Sequence, residues 1–174
     1  MTIDVATGIA RILKQEGVDW VSTFPVCRVN NALGREGVPM VMMRDDRYAV
    51  AVADAFSRIT AGTRIGVCTF QGGVNAAGMQ YAYAGMAQAY EDGSPVLCIT
   101  DGVPMGSSEN SQFDVPSSMK TVSKWFGYLD KPERTPRSCA APLPCCGAAD
   151  PDPLFWLSPT RAAPMTKPPI PTSR

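Results

Sequence analysis

Residues 44–58 read RDDRYAVAVADAFSR. This Ala-rich helical pattern opens on two adjacent carboxylates, directly after the apolar run VPMVMM at 38–43. An apolar run passing at once into a helix is the repeating unit of a parallel sheet with helical crossovers. Two roles are open to the carboxylates. Asp45 or Asp46 can accept a hydrogen bond from a free N–H of the first helical turn, where negative charge also suits the helix dipole. Alternatively, one of them is held out of water to manage a proton on a bound group.

The rest of the chain up to about residue 131 keeps the same rhythm. Val5, Ile9, Ile12 and Leu13 mark one face of a first helix that stops at Gly17. VDWVSTF (18–24) is a short apolar run stopped by Pro25, and VNNALGREG (29–37) has the pattern of a short helix. After the strand at 38–43 comes a helix over 45–61 with Ala49, Val52, Ala53 and Phe56 on one side. IGVCTF (65–70) predicts a third strand, 75–91 a helix rich in small residues, and SPVLCIT (94–100) a fourth strand. Near-continuous apolar strands alternating with helices predict an α/β fold, a three-layer parallel sheet with helices on both faces.

Composition limits the chemistry. The 174 residues carry 16 basic and 16 acidic side chains and no histidine. Balanced charge gives no electrostatic case for nucleic acid or an anionic membrane. Without histidine, Ser-His-Asp and Cys-His catalysis are excluded, and acid–base work falls to carboxylates, Lys, Tyr, Cys or a cofactor. No apolar run is long enough to span a bilayer, and the start lacks the basic and apolar regions of a secretory signal. A cytoplasmic protein with reduced thiols is the expectation. Cys27 and Cys68, flanked by small apolar residues, are expected in the core.

Residues 132–174 differ. Eleven of the sixteen prolines and three of the six cysteines lie there. The segment shows neither helical nor strand period, so an irregular Pro/Cys-rich tail is expected, although LFWL is unlike a solvated tail. Cys139, Cys145 and Cys146 have no metal-ligand spacing, so no metal site is expected.

Several motifs in order carry a family resemblance: VDWVSTFPV, RDDRYAVAVADAFSRITAG, AGMAQAYEDGSPVLCITDGVP and SQFDVPSSMKTVSKW. From about Asp4 to Lys131 the chain resembles the N-terminal pyrimidine-binding domain of thiamine diphosphate enzymes of the acetolactate synthase type. Pro25 is kept from the family's Val-Pro-Gly turn, with Val26 in place of the glycine. Arg44, Ala49, Ala53, Asp54, Arg58, Thr60 and Gly62 are in step with the family's Arg-His-Glu run. The resemblance implies thiamine diphosphate bound through its aminopyrimidine half, as part of a 2-oxo acid decarboxylase or an acetolactate synthase-like carboligase. In the family the Glu of that run bonds a ring nitrogen of the pyrimidine, so that the exocyclic nitrogen can take the thiazolium proton. Its position falls on Asp46, one methylene shorter. Asp46 is therefore the candidate catalytic residue.

The family's glycine turn falls on Gly73-Val74-Asn75 counted from one side and on Ala76-Ala77-Gly78 from the other. Pro25, Asp46, Gly72, Gly73, Asn75 and Gly78 are accordingly the candidate cofactor-binding residues. The Gly-Asp-Gly…Asn signature that holds Mg²⁺ and the diphosphate in the family does not occur. The resemblance thus implies a partner, either a second copy or a diphosphate-binding domain or subunit, together with a small 2-oxo acid substrate. A frameshift near codon 136 of a longer synthase would explain the tail, and would leave the sheet without its last strand, with an unpaired edge. The alternative is an α/β domain without catalytic activity of its own.

Overall fold

The computed structural model describes residues 4–73, 76–102, 113–129 and 154–159. Helix α1 (Val5–Gln15) starts at Asp4, whose carboxylate accepts the Thr7 N–H at 2.7 Å. It buries Val5, Ile9, Ala10 and Leu13, close to the stripe predicted from periodicity. Strand β1 (Val21–Thr23) leads into α2 (Arg28–Glu36), which ends on Gly37 in the left-handed conformation. Then follow β2 (Met40–Met42), α3 (Asp46–Ile59), β3 (Gly66–Phe70), α4 (Ala77–Glu91) and β4 (Val96–Gly102). A short α5 (Val115–Met119) with a 3₁₀ turn, β5 (Trp125–Tyr128) and β6 (Leu154–Pro159) complete the described elements.

The strands form one parallel sheet in the order β2-β1-β3-β4-β6-β5. Alternate strand residues feed two cores. Val21, Val67, Leu97 and Ile99 point to α1 and α2, whereas Cys68, Phe70, Val96 and Cys98 point to α3, α4 and α5. The three-layer α/β arrangement follows directly, because strands covered on both faces must be apolar at every position. Cys27 and Cys68 are buried as expected. The helices α3 and α4 approach closely at Gly85, where an added Cβ would sit 3.1 Å from Val50. Ser57 fastens α3 to the sheet: its hydroxyl donates to the Pro95 carbonyl at 2.5 Å and accepts the Gly66 N–H at 2.8 Å.

Two expectations change. Strand β2 is apolar but lies at the sheet edge, and Met40, Val41 and Met42 are all exposed. Its composition matched a buried strand, but strand order decides burial and the sequence does not state it. The second change is within 132–174, where prolines argued against any regular element. Leu154–Pro159 is a strand lying between β4 and β5 and parallel to both. The prolines at 151 and 153 precede the run and Pro159 is its last residue, so no proline interrupts the ladder. The sheet position beside β4 is therefore paired. No helix among the described residues is long and apolar enough to cross a membrane.

Candidate functional site

The two adjacent carboxylates divide the roles that the sequence left open. Asp45, in extended backbone geometry, is the N-cap of α3 and accepts the Tyr48 N–H at 2.9 Å. Asp46 is thereby released from capping. As the first residue of α3 it is only 6% exposed, and its Oδ1 accepts the Gln71 N–H at 2.7 Å just beyond β3. Burial raises its pKa above the ordinary carboxylate value, and the Gln71 N–H opposes that shift. Gly78 lies against the same group: an added Cβ would meet the Gln71 carbonyl oxygen and sit 2.5 Å from Asp46 Oδ1. Asp46 thus joins the start of α3 to the end of β3 beneath α4.

On the other side of Gln71 a cavity of about 570 Å³ opens at the carboxyl ends of the strands. Its walls come from the β1–α2 turn (Pro25, Val26, Cys27), the first turn of α2 (Arg28, Asn30, Asn31), Met42 at the end of β2, Gly72 and Gly73 after β3, and Asp101 near the end of β4. In an open parallel sheet this edge is where ligands bind, because the turns that leave the strands expose backbone groups there. Val26 stands where the family turn has glycine, and its φ of 71° lies in the left-handed region. Asn30 holds the turn, with Nδ2 donating to the Phe24 carbonyl at 2.9 Å and Oδ1 accepting from Thr69 Oγ1 at 2.6 Å.

Gly72 is required by contact. A Cβ there would collide with the Asp101 carbonyl oxygen and Thr100 Oγ1. Gly73, at φ 84°, donates its N–H to that same carbonyl at 2.7 Å. The Asp101 side chain is 5% exposed. Its Oδ2 accepts the Arg28 N–H at 3.0 Å, and its buried Oδ1 has no hydrogen-bond partner among the described residues. Burial raises the Asp101 pKa, while the Arg28 N–H and charge oppose the rise.

Of the residues singled out from the sequence, Pro25, Gly72 and Gly73 meet in this cavity. Asp46 and Gly78 lie together on the far side of Gln71 and do not line it. Asn75 falls outside the described residues. Sequence reasoning missed Asp101, Asn30 and Asn31.

Residues 3–122 match the family described as thiamine pyrophosphate enzyme, N-terminal TPP binding domain. The chain belongs to this family. A probable acetolactate synthase large subunit of Methanocaldococcus jannaschii is 27% identical over 155 residues, covering 86% of this chain and 25% of that protein. The chain therefore spans about a quarter of the length of the curated relative it matches. For a thiamine pyrophosphate-binding domain the cavity suits the aminopyrimidine half of the cofactor. Gly72 lets the backbone after β3 pack directly against Thr100 and Asp101 at the cavity wall, and the buried Asp101 Oδ1 has no hydrogen-bond partner among the described residues.

Proposed function

We propose that the chain supplies the pyrimidine-binding part of a thiamine diphosphate-dependent enzyme, a 2-oxo acid decarboxylase or acetolactate synthase-like carboligase. The observation that carries this reading is the cavity at the strand ends, where Pro25, Gly72 and Gly73 converge around a buried carboxyl group. When bound, the cofactor supplies a stabilised carbanion centre for cleaving or forming a bond next to a carbonyl. The protein's own share is narrower. The β1–α2 turn and the Gly72–Gly73 segment shape the cavity and exclude water. Asp46, at the register of the family's carboxylate, fixes the Gln71 N–H, and burial raises its pKa. Mg²⁺ and the diphosphate belong to a partner domain or subunit.

A half-site makes a sharp prediction. Thiamine and thiamine diphosphate should bind the full chain with affinities within about threefold of each other, with or without Mg²⁺, because the sequence lacks the Gly-Asp-Gly…Asn signature that holds the diphosphate in the family. Isothermal titration or ligand-observed NMR reads this directly. Thiamine diphosphate binding that tightens about a hundredfold with Mg²⁺ would mean the chain holds the diphosphate itself. Absence of binding by both ligands would favour an α/β domain without cofactor chemistry. That alternative draws on the engagement of Asp46 Oδ1 by Gln71.

A further inference from the structure

The family register puts the pyrimidine-contacting carboxylate at Asp46, but the geometry offers two buried carboxyl groups near one strand edge. They differ in what their oxygens do. Asp46 has Oδ1 taken up by the Gln71 N–H and covered by Gly78, and it does not reach the cavity wall. Asp101 lines the cavity together with Pro25, Gly72 and Gly73. Its Oδ2 is oriented by the Arg28 N–H at 3.0 Å, and its buried Oδ1 has no hydrogen-bond partner among the described residues.

A buried polar atom without a hydrogen bond costs free energy unless a ligand satisfies it. Asp46 is also one methylene shorter than the family's glutamate, a reach of roughly 1.5 Å that the backbone of a capped helix does not readily return. Asp101 supplies a buried carboxyl group at the cavity wall itself, so the lost reach at Asp46 and an available carboxyl group occur in the same chain.

We infer that in this chain Asp101, through its Oδ1, is the carboxyl group that hydrogen-bonds the aminopyrimidine, with Asp46 acting as a positioning residue that holds the Gln71–Gly72 backbone. This rests on the pyrimidine-binding reading. An aminopyrimidine presents an exocyclic amino donor beside ring-nitrogen acceptors. A carboxyl oxygen at a fixed position accepts from the first when ionised and donates to the second when protonated. Burial raises the pKa of Asp101, so the proton-donating form is reached more easily than for an exposed carboxylate. Arg28 contributes its backbone N–H to orient the group, as Asp-to-backbone bonds do at the start of a helix.

The test is a ligand-observed NMR titration of the full 174-residue chain with 4-amino-5-hydroxymethyl-2-methylpyrimidine, and with thiamine. Asp101→Asn keeps an acceptor for the Arg28 N–H, and Asp101→Gly removes the side chain. Both are compared with Asp46→Asn, which keeps an acceptor for Gln71. Circular dichroism and melting temperature establish that each variant folds. Asp101→Gly should weaken binding at least about tenfold by removing the hydrogen bond, and Asp101→Asn should weaken it less, because its amide N–H can still donate to a ring nitrogen. Asp46→Asn keeps the Gln71 contact and should weaken binding less than Asp101→Gly does. If Asp46→Asn abolishes binding while the Asp101 variants retain it, or if all weaken equally, the assignment to Asp101 falls and the pyrimidine-binding reading stands. If the unsubstituted chain binds neither compound, both fall.

Discussion

Replacing Val26 by glycine should stabilise the protein relative to replacing it by alanine, reversing the usual order of the two residues. Val26 has φ 71° and is 72% exposed, so its β-branched side chain gains little from burial while its backbone occupies the left-handed region. That conformation costs an L-residue about 1–2 kcal/mol, and glycine relieves it. Against this, glycine loosens the unfolded chain by about 0.4–1 kcal/mol. Loss of the covered part of the side chain removes roughly 0.5 kcal/mol more, a fraction of the value for a fully buried valine.

Val26→Gly should therefore lie between about 0.5 kcal/mol of lost and about 1 kcal/mol of added stability. Val26→Ala keeps the strained backbone and loses the same contact, so it should be neutral to slightly destabilised. The gap of about 1 kcal/mol in favour of glycine corresponds to about 2–4 °C in melting temperature for a chain of this size. Urea unfolding followed by tryptophan fluorescence, using the three tryptophans, measures it. Alanine equal to or better than glycine at this position would refute the strained turn.

Ser57→Ala should destabilise by about 2–3 kcal/mol, because it leaves the buried Gly66 N–H and Pro95 carbonyl without their shared partner; a denaturant midpoint close to that of the unsubstituted protein would count against this role. Asp101 has a raised pKa in the folded state. Its contribution is thus fully present below the unfolded value of about 3.9 and is lost as pH rises through the folded one. Asp101→Asn should then gain stability relative to the unsubstituted protein as pH rises above about 4, and unfolding curves showing a pH-independent difference would contradict the burial of that carboxyl group. Cys68 and Cys98 face each other across β3 and β4 with sulfurs 3.4 Å apart, and burial raises the thiol pKa of Cys68 and of the neighbouring Cys27. None of the three should react with iodoacetamide in the folded protein, whereas all should after unfolding in guanidinium, as peptide mass spectrometry can resolve.

What the sequence determined by itself was the local and periodic information. Helix α1 was legible because its stripe repeats with the helical period, and the fold class was legible because apolar strands alternated with helices. The motifs carried the family, since Pro25, Arg44, Asp54 and Thr60 kept their spacing. Two carboxylates in a row, however, look alike in one dimension. Only the direction of each side chain from the first turn of α3 made Asp45 the cap and sent Asp46 under Gly78 toward Gln71.

The tertiary structure also decided everything that depends on strand order. It put β2 at an exposed edge despite its apolar composition, and it admitted Leu154–Pro159 between β4 and β5. It brought Asp101 beside Pro25 and Gly72, from separate strand ends, to build a cavity that no local window contains. Periodicity reports how one segment meets its surroundings, whereas a site at the ends of parallel strands is assembled from residues tens of positions apart, and their contact exists only once the sheet has ordered them.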